Sequence, residues 1–141
     1  MSIYKYNPEN IFAKILRDEA PSIRVYEDDE TLSFMDIMPR ADGHCLVIPK
    51  SPCRNLLDAS DAQLVAVMLT VRKMSRAVMK AFDAQGVTVQ QFNEAVGGQE
   101  VFHFHVHILP RHEGVALRAP GIMADREVLN AQADRIRFAL T

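Results

Sequence analysis

The sequence predicts an α+β domain: a five-stranded antiparallel sheet with a long helix packed on it. Three observations lead there. Strand-like segments come in groups instead of alternating singly with helices, which favours antiparallel meanders over parallel βαβ units. One long segment, 61–82, repeats apolar residues at helical spacing. Apolar residues make up 48% of the chain and charged residues 24%, the balance of a chain that buries a core.

The elements follow in order. Ile11, Phe12, Ile15 and Leu16 share one face of a helix over 10–17, and Pro21 lies just beyond its end. Strands are expected at 22–27 and 31–37, with Asp28-Asp29 as the hairpin turn. The stretch from Pro39 to Gly43 reads as a loop, and 44–48 as a compact apolar strand ended by Pro49 and Pro52. In the long helix, Ser60 is a cap and Gln63 completes a capping box. Leu64, Met68, Val71, Val78 and Phe82 carry its apolar repeat, and Gly86 stops it. A strand at 87–93, a glycine-containing loop at 94–100 and a strictly alternating strand at 101–109 come next, the last ended by Pro110. A final helix is expected over 125–140.

The 141 residues suit a single domain spanning 1–141. A formal charge of −2, from 16 basic and 18 acidic residues, offers no footprint for nonspecific nucleic-acid binding. No apolar run reaches the ~20 residues that span a bilayer, and residues 1–10 contain no apolar signal core. Cys45 and Cys53 are therefore read as reduced thiols in a cytoplasmic protein without membrane or nucleic-acid partners.

The chemistry concentrates in Val101-Phe102-His103-Phe104-His105-Val106-His107-Ile108-Leu109. In a strand, the histidines at i, i+2 and i+4 project from one face, expected to be exposed, while the apolar residues between them anchor the other. Imidazole gains and loses protons near neutrality, so three together divide the tasks of nucleophile, acid and orienting group. A histidine nitrogen also attacks phosphorus directly. Two other uses of the strand stay open: a purely structural face, and zinc ligation through His-x-His. The preceding loop, Asn93 to Gln99 with Gly97-Gly98, favours phosphate chemistry, because glycines let backbone amides turn towards an anion.

These residues resemble the histidine triad (HIT) family of nucleotide hydrolases and transferases. The segment from Gln99 to Arg111 is similar to its His-φ-His-φ-His-φ-φ motif (φ apolar). The stretches 34–39 and 43–50 are similar to its first strands and ribose-contacting region. The resemblance implies that His105 is the nucleophile, that His107 contacts the α-phosphate and assists the leaving group, and that His103 orients the site, its carbonyl fixing the tautomer of His105. It implies that Asp36 accepts hydrogen bonds from the ribose, that Asn93, Gly98 and Gln99 line the phosphate side, and that His44 supports the triad. It also implies a homodimer pairing the long helix and the 87–93 region.

Three departures stand out. Many relatives hold a structural zinc with an N-terminal Cys-x-x-Cys and histidines. Here Asn10, Ala13 and Pro52 fill those positions, so no metal and no cofactor is expected. Glu100 stands where several relatives have Ser. A carboxylate there repels phosphate, so either it points away or substrate preference differs. Pro110-Arg111 resembles the dinucleoside-polyphosphate branch, whereas Asp36 in Phe-Met-Asp-Ile resembles the Hint branch.

The expected function is hydrolysis of purine nucleotide conjugates at the α-phosphorus, of the nucleoside phosphoramidase type, through a nucleotidyl-histidine. Asymmetric diadenosine polyphosphate hydrolysis is the close alternative, and nucleotide-binding regulation with little turnover is the alternative of another class.

Overall fold

In the computed structural model, residues 4–141 are described. The order is α1 (Ile11–Leu16), β1 (Arg24–Glu27), β2 (Thr31–Met35), β3 (Cys45–Pro49), α2 (Asp61–Ala81), β4 (Gly86–Gln90), β5 (Val106–Arg111) and α3 (Arg126–Ala139), with a 3-10 turn at Ala95–Gly97. The five strands form one antiparallel sheet in the order β1-β2-β3-β5-β4. This is the α+β class that the strand grouping predicts.

Local chemistry sets the helix ends. Asn10 accepts from the amide of Ala13 and caps α1. Ser60 and Gln63 form a reciprocal capping box on α2, satisfying two donors the helix leaves open. The buried stripe of α2, Val67, Val71, Met74 and Val78, packs on one sheet face with α3 beside it through Leu129, Ala133 and Ile136. Val47, Val106 and Ile108 complete that core. On the opposite face Phe12 and Ile15 of α1 pack with Leu32, Phe34, Leu46 and Ile48. β2 and β3 are buried on both faces; β3 accordingly reads as a continuous apolar run, whereas β2 buries Thr31 and Ser33 along with its apolar residues. At the turn into β3, Gly43 has φ +82°, and a Cβ there would lie 2.4 Å from the Phe82 ring.

The fifth strand differs from its expected bounds. It begins at Val106, not 101, and contains Pro110 rather than ending before it. β3 pairs with β5 only from Cys45–Ile108 to Val47–Val106. Beyond that, Pro49 has no N–H to donate, its carbonyl is taken by the His103 ring, and the amide of Phe104 turns to the carbonyl of Cys53. Residues 101–105 therefore form an irregular approach to the sheet. Pro110 pairs with Val87 of β4, while the β3 ladder has already ended at Ile108. With one neighbouring strand, a residue lacking an N–H is tolerated. Gly86, expected to stop the helix, is the first residue of β4. No helix among the described residues is long and apolar enough to cross a membrane.

Candidate active site

A cavity of about 470 Å³ opens beside α1, between the ends of β2 and β5. That is within the usual range for small-molecule sites. Ile11, Phe12, Ile15 and Phe34 make its apolar end. Asp36, His44, His105, His107, Gly98 and Glu100 make its polar end. His103 does not line it. The expected exposed triad face is thus corrected: His103 and His105 are buried and His107 is partly buried.

The reason lies in the partners of each ring. His103 Nε2 is 2.8 Å from the Pro49 carbonyl and Nδ1 is 2.6 Å from Tyr6 Oη. A carbonyl accepts only, so Nε2 carries the proton and Tyr6 donates to Nδ1. His105 Nδ1 lies 2.7 Å from the His103 carbonyl. Nδ1 therefore donates, and Nε2 has a free lone pair. Phe12 packs edge-on against this ring at 4.9 Å between centroids.

The same logic runs through His44. The amide of Arg40 donates to His44 Nδ1 at 3.1 Å, so the proton of His44 sits on Nε2. That nitrogen is 2.9 Å from His107 Nδ1, which accepts. His107 then carries its own proton on Nε2. The His103 carbonyl thus leaves His105 with a bare Nε2, and the Arg40 amide, acting through His44, leaves His107 with a protonated one. The two rings are 5.0 Å apart.

Burial keeps these rings neutral. Desolvation is the main cause in each case, pushing His44 and His103 down to about 4 and His107 to about 3, and lowering His105. For His107 the neighbouring His105, His44 and Arg40 add to the effect. Burial raises the Asp36 carboxyl to about 6, opposed by the Met38 amide on Oδ1 and reinforced by Glu100. Asp36 is ionised above that value and can accept hydroxyl hydrogen bonds.

The loop residues divide. Gly98, at φ +100°, lines the cavity with Phe92 packed under it. The Gln99 side chain is buried and fully engaged: Oε1 accepts from Asn55 and the Glu94 amide, and Nε2 donates to the carbonyls of Arg54 and Val101. Asn93 is occupied by Gln91 and the Leu56 amide. Neither side chain lines the cavity; both hold the loop. Arg54 grips Glu94 with two bonds, 2.9 and 2.8 Å, while lying over the Phe102 ring. Tyr6, Arg40 and the Arg54–Glu94 pair escaped the sequence reading, because nothing in their local pattern marks them.

Asp36, His44 and His107 bring ligand-type atoms within 4.8 Å of one another. The donor set does not suit a cation, because the His44 proton stands on the nitrogen that would have to be bare. The zinc implied by the resemblance fits no better. Asn10 is the cap of α1, Ala13 has no ligand atom, and both His103 nitrogens are engaged.

Residues 17–114 match the family model described as HIT domain. The chain belongs to the HIT family. A solved HIT-like protein from Bartonella henselae, described as involved in cell-cycle regulation, is 52% identical over 96% of this chain and 99% of that one, with a TM-score of 0.92. A hypothetical histidine triad nucleotide-binding protein from Sulfolobus tokodaii is 30% identical, with a TM-score of 0.85 over 92% of this chain and 90% of its own. An adenylylsulfatase from Arabidopsis thaliana is 34% identical over 83% of this chain, which spans 62% of that longer relative. HIT proteins are nucleotide-binding proteins that include nucleotide hydrolases and transferases.

Proposed function

We propose that this HIT protein hydrolyses AMP-linked conjugates of the phosphoramidate type at the α-phosphorus. The observation that carries the reading is the opposed protonation of two adjacent rings: His105 presents a lone pair and His107 an N–H to one cavity. Adenylylsulfatase activity in a relative supports cleavage at an AMP phosphorus.

In this reading the base lies among Ile11, Phe12, Ile15 and Phe34, and Asp36 accepts from the ribose hydroxyls, holding the phosphorus in line. His105 Nε2 attacks, forming an N–P bond as the bond to the leaving group breaks. The proton on His107 Nε2 goes to the departing atom, directly or through a water. Water then attacks the nucleotidyl-His105, returns a proton to His107 and releases AMP. The Gly97 and Gly98 amides donate to the carbonyls of Glu94 and Ala95, so the turn contributes the shape of the cavity wall at Gly98 and not donors to the phosphoryl oxygens.

We also propose a homodimer of single-domain chains in the cytoplasm. The outward face of α2 supports it, exposing Val65, Met68 and Leu69 at helical spacing, with Val89 of β4 also exposed. Sedimentation at micromolar concentration should give the dimer mass; monomer alone rules it out.

The test of the activity is a substrate panel of AMP-amines, diadenosine polyphosphates and adenylyl sulfate, with rapid quenching and mass spectrometry of the 101–111 peptide. Wild type should show a nucleotidyl adduct on His105. His105→Ala should lose at least about a thousandfold in kcat while still binding AMP. Turnover without the adduct, retained by His105→Ala, sinks the mechanism.

A further inference from the structure

We infer that Glu100 selects the leaving group, favouring conjugates whose departing half carries an ammonium or guanidinium over those that leave as phosphate. The inference rests on the hydrolase reading and names its substrate class.

Glu100 lines the cavity beside Gly98, His105 and His107. It is exposed and has no hydrogen bond or ion pair among the described residues. Its sequence neighbour Gln99 is locked by four hydrogen bonds, so the backbone that carries Glu100 is held at the cavity rim. Of the two carboxylates on the loop, Glu94 is neutralised by Arg54 at 2.8 Å; Glu100 is not. The Glu100 charge reaches into the site, since it helps raise the Asp36 carboxyl and works to raise the basicity of His105 against burial.

The cavity is polarised. Arg40 lines it too, anchored through Nε to the Arg118 carbonyl, and its charge bears on His44 and His107. Beside the rings the Arg40 charge is set against the Asp36 carboxylate, 3.4 Å from His44 Nε2, whereas the anion on the outer loop has no such counter-charge. The nucleoside half of a conjugate occupies the apolar end, which leaves the rim to the other half. A polyphosphate there meets an unneutralised carboxylate; an amine with a second positive charge meets its counter-ion.

The test reads binding without turnover, in a His105→Ala background with and without Glu100→Gln. Three ligands are titrated calorimetrically: the AMP amide of 1,4-diaminobutane, the AMP amide of butylamine, and diadenosine triphosphate. At low salt the cationic ligand should bind about fivefold tighter than the neutral one, the scale of one partly solvated ion pair. The anionic ligand should bind weakest, and added salt should compress the order. Glu100→Gln should bring the cationic and neutral ligands within about twofold. The same ranking in both proteins, or tightest binding of the triphosphate, overturns the proposal. Product release by wild type is measured separately. Absence of release defeats the hydrolase reading while the binding order still judges Glu100. The melting temperature of Glu100→Gln, an exposed change, checks folding.

Discussion

His44 Nε2 and His107 Nδ1 face each other at 2.9 Å, and the Arg40 amide decides which holds the proton between them. The amide takes the only other nitrogen of His44, so the proton lies on the His44 side and His107 keeps its own on the nitrogen facing the cavity. The contact joins residues 63 positions apart.

His44→Ala should therefore free His107 to adopt the wrong tautomer. With poor leaving groups, kcat should fall about tenfold or more, within the range of a lost general acid. With an activated aryl leaving group the change should stay within about threefold. His44→Gln keeps an N–H donor and should restore part of the loss. A series of leaving groups of graded pKa reads this directly. An equal fall across the series would assign His44 a structural role only.

Stability should decline in mild acid. His44, His103 and His107 titrate at about 4, 4 and 3 in the fold, against about 6.5 when unfolded. Below pH 6.5 the unfolded chain takes up the protons, so the stabilisation is present above 6.5 and is lost as pH falls through 4. Asp36 runs the other way: its carboxyl, raised to about 6, contributes fully below 3.8 and loses that contribution as pH rises through 6. It offsets one histidine of the three. Melting temperature should drop by about 5 °C or more per pH unit between 6 and 4. A flat profile there contradicts the neutral buried rings.

Gln99→Ala removes a buried amide with four partners and strands the Glu94 amide and two carbonyls. The expected cost is about 2–4 kcal/mol, read from denaturant midpoints. The loop carrying Gly98 and Glu100 should loosen with it, raising KM and lowering kcat together. Unchanged stability would show that the loop does not depend on this side chain.

Zinc should play no structural part. Protein purified without an affinity tag should contain less than stoichiometric zinc, and a chelator should leave its melting temperature unchanged. Tyr6→Phe, by contrast, should destabilise by about 1 kcal/mol, because His103 Nδ1 loses its donor inside the protein. A chelator-induced fall in melting temperature would place a metal in the fold.

The sequence by itself determined the element order, the capping box of Ser60 and Gln63, and the alternation that sends Val106 and Ile108 to one sheet face and His107 to the other. These are short-range properties: a period of 3.6 or 2, or a side chain reaching three residues on. It also marked Glu100 as unusual. The tertiary structure alone decided where the alternation stops, because Pro49 ends the neighbouring ladder and turns His103 towards Tyr6, 97 residues away. It alone placed His44 on His107, and engaged Gln99 and Asn93 inside the loop instead of in the cavity. Periodicity tells which residues of one element share a face. Which nitrogen meets which partner depends on strand register and packing between distant segments, and that register sets the protonation on which the proposed chemistry turns.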